Sequence, residues 1–349
     1  MQVDRIVFAD RGTVRIESAA IEVRLQPREV LIETTCSLIS AGTELAALWG
    51  THSKSDAKEA PAWLRYPSIP GYLVVGRVAE VGRDVTEVQI GQRVAGEGPG
   101  VWNSHCSRLV METTDPKLVP IPEGVSDEEA VTTKLGSIAM TAPRVLHPQF
   151  GDNIVVFGLG LVGQIAARLA VLAGAGRVIA VDPLPQRRQI VSSVPGIVAM
   201  APDDPFVGRA VRPGDRLAGF DHAIEASGHP EAFLRACEIV RTRGKIAVLS
   251  SPHATFSLRL YDHIHSKGLQ VLGAHGSVLP AEAQIADRWT DAEQRRFFMQ
   301  LLAEKRIDVN PLISHRVPFT RAAQMYQGLK EDPRHYLGVV FYWNGFKGS

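Results

Sequence analysis

The run NIVVFGLGLVGQIAARLAVLAGAGRVIAVD, residues 153–182, decides how this chain folds. NIVVF is a short, nearly continuous apolar run of the kind a strand buried on both faces requires. It stops at Gly158, Gly160 and Gly163, which form G-x-G-x-x-G, and an amphipathic stretch, QIAARLAVLAGA, follows at once. The three glycines answer three demands: a tight turn, close approach of backbone to a pyrophosphate, and close packing of helix on strand. Leu161 and Val162 open the helix, whose first N–H groups and positive dipole end suit phosphate oxygens. The next strand, RVIAVD, ends in Asp182, 19 residues beyond Gly163. A carboxylate there accepts hydrogen bonds from ribose hydroxyls and repels a 2′-phosphate, so NAD is favoured over NADP. Arg187 and Arg188 stand close enough to weigh on that choice.

The same strand and helix alternation continues outward. FDHAIEAS, a helical PEAFLRACEIVR, KIAVLSS and LQVLGAH complete a series of βαβ units, which predicts a parallel sheet covered on both faces. Ligands bind at the carboxyl edge of such a sheet. This points to Ala226 and Ser227 in EASG, and to Leu249, Ser250 and Ser251 in LSS. Before residue 120 the pattern differs. RIVFAD, VRIES, VLIETT, VVGRVAEVG, QRVAGEG and SRLVME are β-branched runs punctuated by Gly, Pro and Asp, and predict an all-β, barrel-like beginning. After about residue 285 come a helix in AEQRRFFMQLLAEKR, the run ISHRVPF, a helix around AAQMYQGLK and a closing strand GVVFYW. The fold class is α/β. A dinucleotide-binding domain spans 146–284, and a discontinuous domain joins 1–145 to 285–349.

Composition narrows the functions. The 349 residues are 45% hydrophobic and 21% charged, enough for two domains with cores of their own. Lys and Arg total 38 against 37 Asp and Glu, with no block of like charge. That distribution offers no footprint for nucleic acid or an anionic membrane. No apolar run reaches the roughly 18 residues a membrane-spanning helix needs, and MQVDRIVFAD lacks the basic start and apolar core of a secretory signal. The expected location is the cytoplasm. Cys36, Cys106 and Cys237 are odd in number and widely spaced, so they are expected as buried small side chains in a reducing compartment.

AGTE at 41–44, PGYLVVGRV at 70–78, VVFGLGLVGQIAARLA and PLISHRVPF at 311–319 resemble segments of the medium-chain dehydrogenase/reductase superfamily, which includes zinc alcohol and polyol dehydrogenases. The resemblance covers essentially the whole chain. It implies a GroES-like catalytic domain and a Rossmann cofactor domain. It also implies ligand positions for a catalytic zinc, and these fall here on Ala41, Tyr72, Leu73 and near Lys134. Zinc takes thiolate, imidazole or carboxylate in a tetrahedral set, so no catalytic zinc is expected. The stretch AGEGPGVWNSHCSRLV offers one cysteine where many relatives have a four-cysteine lobe, so no structural zinc is expected either.

A metal-free dehydrogenase still needs a group to move the hydroxyl proton and stabilise the alkoxide-like oxygen. Tyr72, Lys134 and Thr43 inherit the zinc neighbourhood. The expectation is that Tyr72 transfers the proton, Lys134 lowers its pKa and stabilises charge, and Thr43 contacts substrate. Of 11 histidines, His52 is the best placed to reach a cleft. The loop from Gly50 to Pro70 is long and polar and carries Trp63 and Tyr66, which suits a lid over a sugar, polyol or cyclitol. The expected activity is zinc-independent, NAD-dependent interconversion of a secondary alcohol and a ketone. An NAD(P)H-dependent reductase of a quinone or activated double bond, and a redox-silent NAD-binding protein, are the alternatives. LQVLGAH, as an apolar edge strand, predicts a homodimer through a shared sheet, with a tetramer as the larger alternative.

Overall fold

The computed structural model describes residues 1–55, 57–98, 103–113, 118–209, 219–280, 282–283 and 289–344. The chain divides into two compact units, one of residues 1–134 with 291–349 and one of residues 135–290. The sequence boundary at 284/285 lies at the edge of the undescribed residues 284–288. Residues 99–102 of the presumed cysteine-poor lobe also lie outside the described residues.

In the first unit, β1 (Gln2–Asp10) and β2 (Thr13–Ala20) pair as an antiparallel two-stranded sheet. A larger sheet is built on β3 (Glu29–Leu38), followed by helix α1 (Ala41–Leu48), β4 (Val74–Val81), β5 (Arg93–Gly96), β6 (Arg108–Glu112) and β7 (Val119–Pro120). Helix α2 (Asp127–Ala130) starts with a capping box in which Ser126 and Glu129 satisfy each other's backbone N–H groups. Helix α3 (Thr133–Leu146) then carries the chain out of this unit.

The second unit alternates β8 (Asn153–Phe157), α4 (Leu161–Leu172), β9 (Arg177–Val181), α5 (Pro185–Ser192), β10 (Ile197–Met200), α6 (Pro205–Arg209), β11 (Phe220–Glu225), α7 (Pro230–Ile239), β12 (Val240–Val248) and β13 (Gln270–Gly273). All its strand pairings are parallel, in the order β10-β9-β8-β11-β12-β13. The order turns back at β8, the switch point where doubly wound sheets open a crevice. Parallel strands covered on both faces need apolar side chains on both, and in β8 and β9 every residue after the first is buried. Ala166, Ala167 and Ala170 let α4 lie close on the sheet. Val155, Phe157, Ile179, Val181, Phe220 and Ile246 form a core cluster with Ala236, Cys237 and Ile239 of α7, the larger apolar side chains contributing about 1.5–3 kcal/mol each by burial.

The chain then re-enters the first unit with α8 (Asp291–Ala303), β14 (Ile313–Pro318), α9 (Ala322–Glu331) and β15 (Gly338–Tyr342). β15 pairs antiparallel with β3, so the sheet order is β14-β15-β3-β4-β5-β7, with β6 also against β3. This antiparallel unit is the GroES-like domain and the parallel unit the Rossmann domain. One core cluster joins Phe8, Leu48, Met325, Phe341 and Trp343, with Phe8 edge-on to Tyr326 at 5.1 Å. Cys36, Cys106 and Cys237 are free and buried. Among the described residues no helix is long and apolar enough to cross a membrane.

Candidate functional site

In the Rossmann unit the three glycines play distinct parts. Gly158 has φ +90°, and a Cβ there would lie 2.7 Å from the backbone of Ser227. A Cβ on Gly163 would drive into the carbonyl oxygen of Gly158. Gly160, the N-cap of α4, has nothing within 4 Å of where its Cβ would stand. The protein itself therefore demands two of the glycines, while the third leaves open the space a phosphate would use.

Asp182 is buried at the end of β9. One carboxylate oxygen accepts the N–H of Leu159 at 2.7 Å and the other that of Leu184 at 2.8 Å. It thereby ties the glycine turn to the second strand. Arg187 comes within 3.8 Å of this carboxylate, whereas Arg188 donates to the carbonyls of Asp182 and Pro183. At the ends of β11 and β12, the buried Glu225 accepts the N–H groups of Ser227 and Gly228 at 2.8 and 2.9 Å. It also accepts the hydroxyls of Ser227 and Ser250. EASG and LSS are thus joined through one carboxylate. Ala226 is bonded to the Phe157 carbonyl, Leu249 and Ser250 to that of Glu225, and Ser251 is exposed. Leu161 is buried under the turn and Val162 half-buried.

The GroES-like unit holds a buried polar cluster at the start of α1. Thr43 and Glu44 come from the AGTE segment and Tyr72 from PGY. The Tyr72 hydroxyl lies 2.5 Å from the Ser40 hydroxyl and is also bonded to the side chain of Thr43. Burial pushes the Tyr72 phenol up to about 12, against the lowering effect of those hydrogen bonds, with the charges of Glu44 and Glu97 acting in the same upward direction. Glu44 is fully buried. One of its oxygens accepts the Ser40 N–H at 2.8 Å; the other accepts the Tyr326 hydroxyl at 2.5 Å and lies 3.0 Å from His105 Nε2. Gly71, at φ +90°, sits where a Cβ would be 2.6 Å from the His105 ring, which explains a glycine before Tyr72.

Lys134 does not join this cluster. Its ammonium lies 3.0 and 3.1 Å from the two oxygens of Asp291 and 3.6 Å from Glu97. Arg295, 2% exposed, binds the same two carboxylates. The two cations and two carboxylates pair with one another, and the largest influences on Tyr72 are burial, Ser40, Thr43, Glu44 and Glu97. The expected lowering of Tyr72 by Lys134 is thus replaced by its opposite, because desolvation acts on the phenol while the ammonium is held by acids. His52 lies elsewhere: its ring is edge-on to Trp63 at 5.1 Å, and Nδ1 accepts the Lys54 N–H. Tyr66 is tied down rather than lid-like, its hydroxyl donating to the carbonyls of Ala47 and Leu48.

The zinc-ligand positions can be tested on chemistry. Ala41 and Leu73 have no donor atom, Tyr72 is bonded to Ser40 and Lys134 is ion-paired. Among the described residues no three His, Cys, Asp or Glu side chains gather to hold a metal. This donor set does not fit zinc. Sequence reasoning passed over Ser40, Glu97, His105, Asp291 and Arg295. Glu44, which the sequence offers as an alternative ion-pair partner for Lys134, lies with His105 and Tyr326 instead.

Two family models match the chain: the alcohol dehydrogenase GroES-like domain over residues 26–119 and the zinc-binding dehydrogenase over residues 162–291. The D-guloside 3-dehydrogenase of Shigella flexneri is 29% identical over 277 residues, 78% of this chain and 77% of that protein. L-idonate 5-dehydrogenase of Escherichia coli superposes with a TM-score of 0.81 at 18% identity, covering 98% of this chain and 99% of that one. A Sinorhizobium meliloti structure bound to NADP superposes with a TM-score of 0.79 at 18% identity, covering 98% and 100%. At those identities the structural likenesses show the fold.

Proposed function

The chain belongs to the zinc-type medium-chain dehydrogenase/reductase superfamily, and from that premise we propose that it interconverts a secondary alcohol and a ketone on a polyhydroxylated substrate, with NAD and without zinc. An oxidoreductase of alcohol-dehydrogenase type, using a nicotinamide cofactor, is the part of this that relatives share. The observation that carries the zinc-free reading is the Tyr72 hydroxyl bonded to Ser40 and Thr43 at a zinc-ligand position. Asp182 supports NAD, since its carboxylate disfavours a 2′-phosphate. The sugar-acid and guloside activities of the relatives support a hydroxylated substrate.

Gly160 and the first turn of α4 would hold the pyrophosphate and Asp182 the ribose hydroxyls. When bound, the nicotinamide accepts or gives the hydride. The chain's own task is the oxygen. A phenol at about 12 stays protonated at neutral pH, so Tyr72 donates a hydrogen bond to the carbonyl oxygen of a ketone and then its proton as that oxygen becomes an alkoxide. Ser40 and Thr43 hold the phenol in line. The oxidation direction is the reverse and starts from the Tyr72 phenolate, which accepts the substrate hydroxyl's proton, so it gains with rising pH. Lys134, paired with Asp291 and Glu97, is given no part in the proton transfer.

The test is purified protein with L-idonate and methyl D-guloside, followed by nicotinamide absorbance with NAD or NADP, alongside elemental analysis. Turnover without stoichiometric zinc, unaffected by chelators and reduced by about 10²-fold or more in Tyr72→Phe, is expected. Zinc recovered with the activity, or full turnover in Tyr72→Phe, refutes the reading. We also propose a cytoplasmic homodimer through β13, which ends the described order of the parallel sheet and whose Val271 is exposed. A monomer in light scattering would exclude the dimer.

A further inference from the structure

His105 and Glu44 are both fully buried, yet neither touches the substrate-handling hydroxyl of Tyr72 directly in the bonds described above. A buried carboxylate is costly unless it is paired and hydrogen-bonded. Glu44 meets that demand with Ser40 N–H, the Tyr326 hydroxyl and His105. Behind His105 the network runs on: Nδ1 lies 2.8 Å from the Ser37 hydroxyl, and Trp343 Nε1 donates to the same oxygen at 2.9 Å. The edge of Phe341 closes the ring in at 5.4 Å.

The contacts accommodate one arrangement of protons in which every donor is used. Trp343 can only donate, so Ser37 Oγ accepts from it and retains its own hydrogen to give. Nδ1 of His105 is the acceptor that hydrogen meets, which leaves the ring proton on Nε2, donated to Glu44. Every polar hydrogen in this chain of contacts then has an acceptor. The far end of that chain is Ser40, whose N–H is held by Glu44 and whose hydroxyl is bonded to Tyr72. Three parts of the chain, residues 37–44, His105 and residues 326–343, meet in this network around one carboxylate.

We propose that His105 and Glu44 are positioning residues for Tyr72: the Nε2–H of His105 anchors the Glu44 carboxylate, the carboxylate fixes Ser40, and Ser40 aims the phenol. This rests on Tyr72 being the oxygen-handling group. It explains why a full negative charge is kept in a core that apolar side chains could fill.

His105→Phe keeps the ring against Phe341 but removes the donor, whereas His105→Gln retains an N–H near the place of Nε2. With L-idonate or methyl D-guloside as probe substrate, His105→Phe should lower kcat by about 10- to 100-fold with the KM for NAD unchanged, and His105→Gln should stay within about 3-fold of wild type. Equal loss in both variants, or full kcat in His105→Phe while Tyr72→Phe is impaired, overturns the proposal. Full kcat in Tyr72→Phe instead overturns the parent reading. If His105→Phe does not fold, Ser40→Ala decides, since it preserves the backbone N–H to Glu44: a comparable kcat loss supports the proposal and wild-type kcat overturns it. Nitrogen NMR of the wild-type His105 ring needs no substrate. A proton on Nε2 and a bare Nδ1 are expected, and a proton on Nδ1 overturns the assignment.

Discussion

A methyl group added at Gly160 and one added at Gly163 should have opposite consequences. Gly160 already has φ −66° and ψ 179°, which alanine adopts freely, and its Cβ would meet no atom within 4 Å. Restricting the unfolded chain favours Gly160→Ala by about 0.4–1 kcal/mol, and the poorer N-cap costs about 0.5 kcal/mol or slightly more. The two nearly cancel, so its stability should stay within about 0.5 kcal/mol of wild type. The methyl nevertheless occupies the space reserved for the pyrophosphate, and NADH affinity should fall by at least about 10-fold, or about 1.4 kcal/mol. Gly163→Ala faces the carbonyl oxygen of Gly158, a backbone atom that cannot swing aside. It should destabilise the Rossmann unit by about 3 kcal/mol, at the high end of overpacking. Thermal unfolding and NADH fluorescence titration on both variants give the comparison. Wild-type NADH affinity in Gly160→Ala would refute the assignment of that open space to a ligand.

Arg295→Met removes one of the two cations that Glu97 and Asp291 share among the described residues, leaving Lys134, and should cost about 3 kcal/mol, the low end for breaking a buried pair. Adding Glu97→Gln should recover part of that loss in urea unfolding followed by tryptophan fluorescence; a double variant no better than the single one would contradict the charge argument. His222, beside Asp152 at 3.0 Å and with Asp221 and Lys245 also acting on it, is held below its ordinary value by burial. The unfolded chain therefore binds the extra proton first, so stability is full above about pH 6.5 and falls as pH drops below it. His222→Gln should flatten thermal stability between about pH 7 and pH 5, and parallel curves for variant and wild type would dismiss the effect. Asp182→Asn keeps an acceptor for Leu159 or Leu184 but loses the charge. The NADPH-to-NADH affinity ratio should rise by about 10-fold, and an unchanged ratio would remove Asp182 from cofactor choice.

The Rossmann half was legible because its signals are local. NIVVF, the three glycines and Asp182 lie within one run, and a single period of apolar residues marks strand and helix. The GroES-like half was legible as strands but not as a pairing scheme. That β15 lies beside β3 depends on contacts across some three hundred residues, for which turn chemistry gives no cue. The site divides in the same way. Tyr72 and Thr43 were found through aligned positions, and the structure brings them together at Ser40. Lys134 was found too, but its acidic partners, Glu97 and Asp291, sit in distant segments, so its neutralisation was invisible. His105 had no neighbour in sequence to mark it. A lone histidine in NSHCSRLV gains meaning only when folding sets Glu44 and Ser37 on either side of its ring.

Lys134 and Asp291 are the last residue before the chain leaves the GroES-like unit and the first after it returns. Their ion pair fastens the two cut ends of an interrupted domain within one side chain's reach of each other. A gap of that size is at most about a dozen ångströms, which about four residues of extended chain would cover. The intervening segment is therefore a cassette with neighbouring ends: genetic exchange can swap one nucleotide carrier for another, or move the chain termini into it, without reopening the sheet that hosts it.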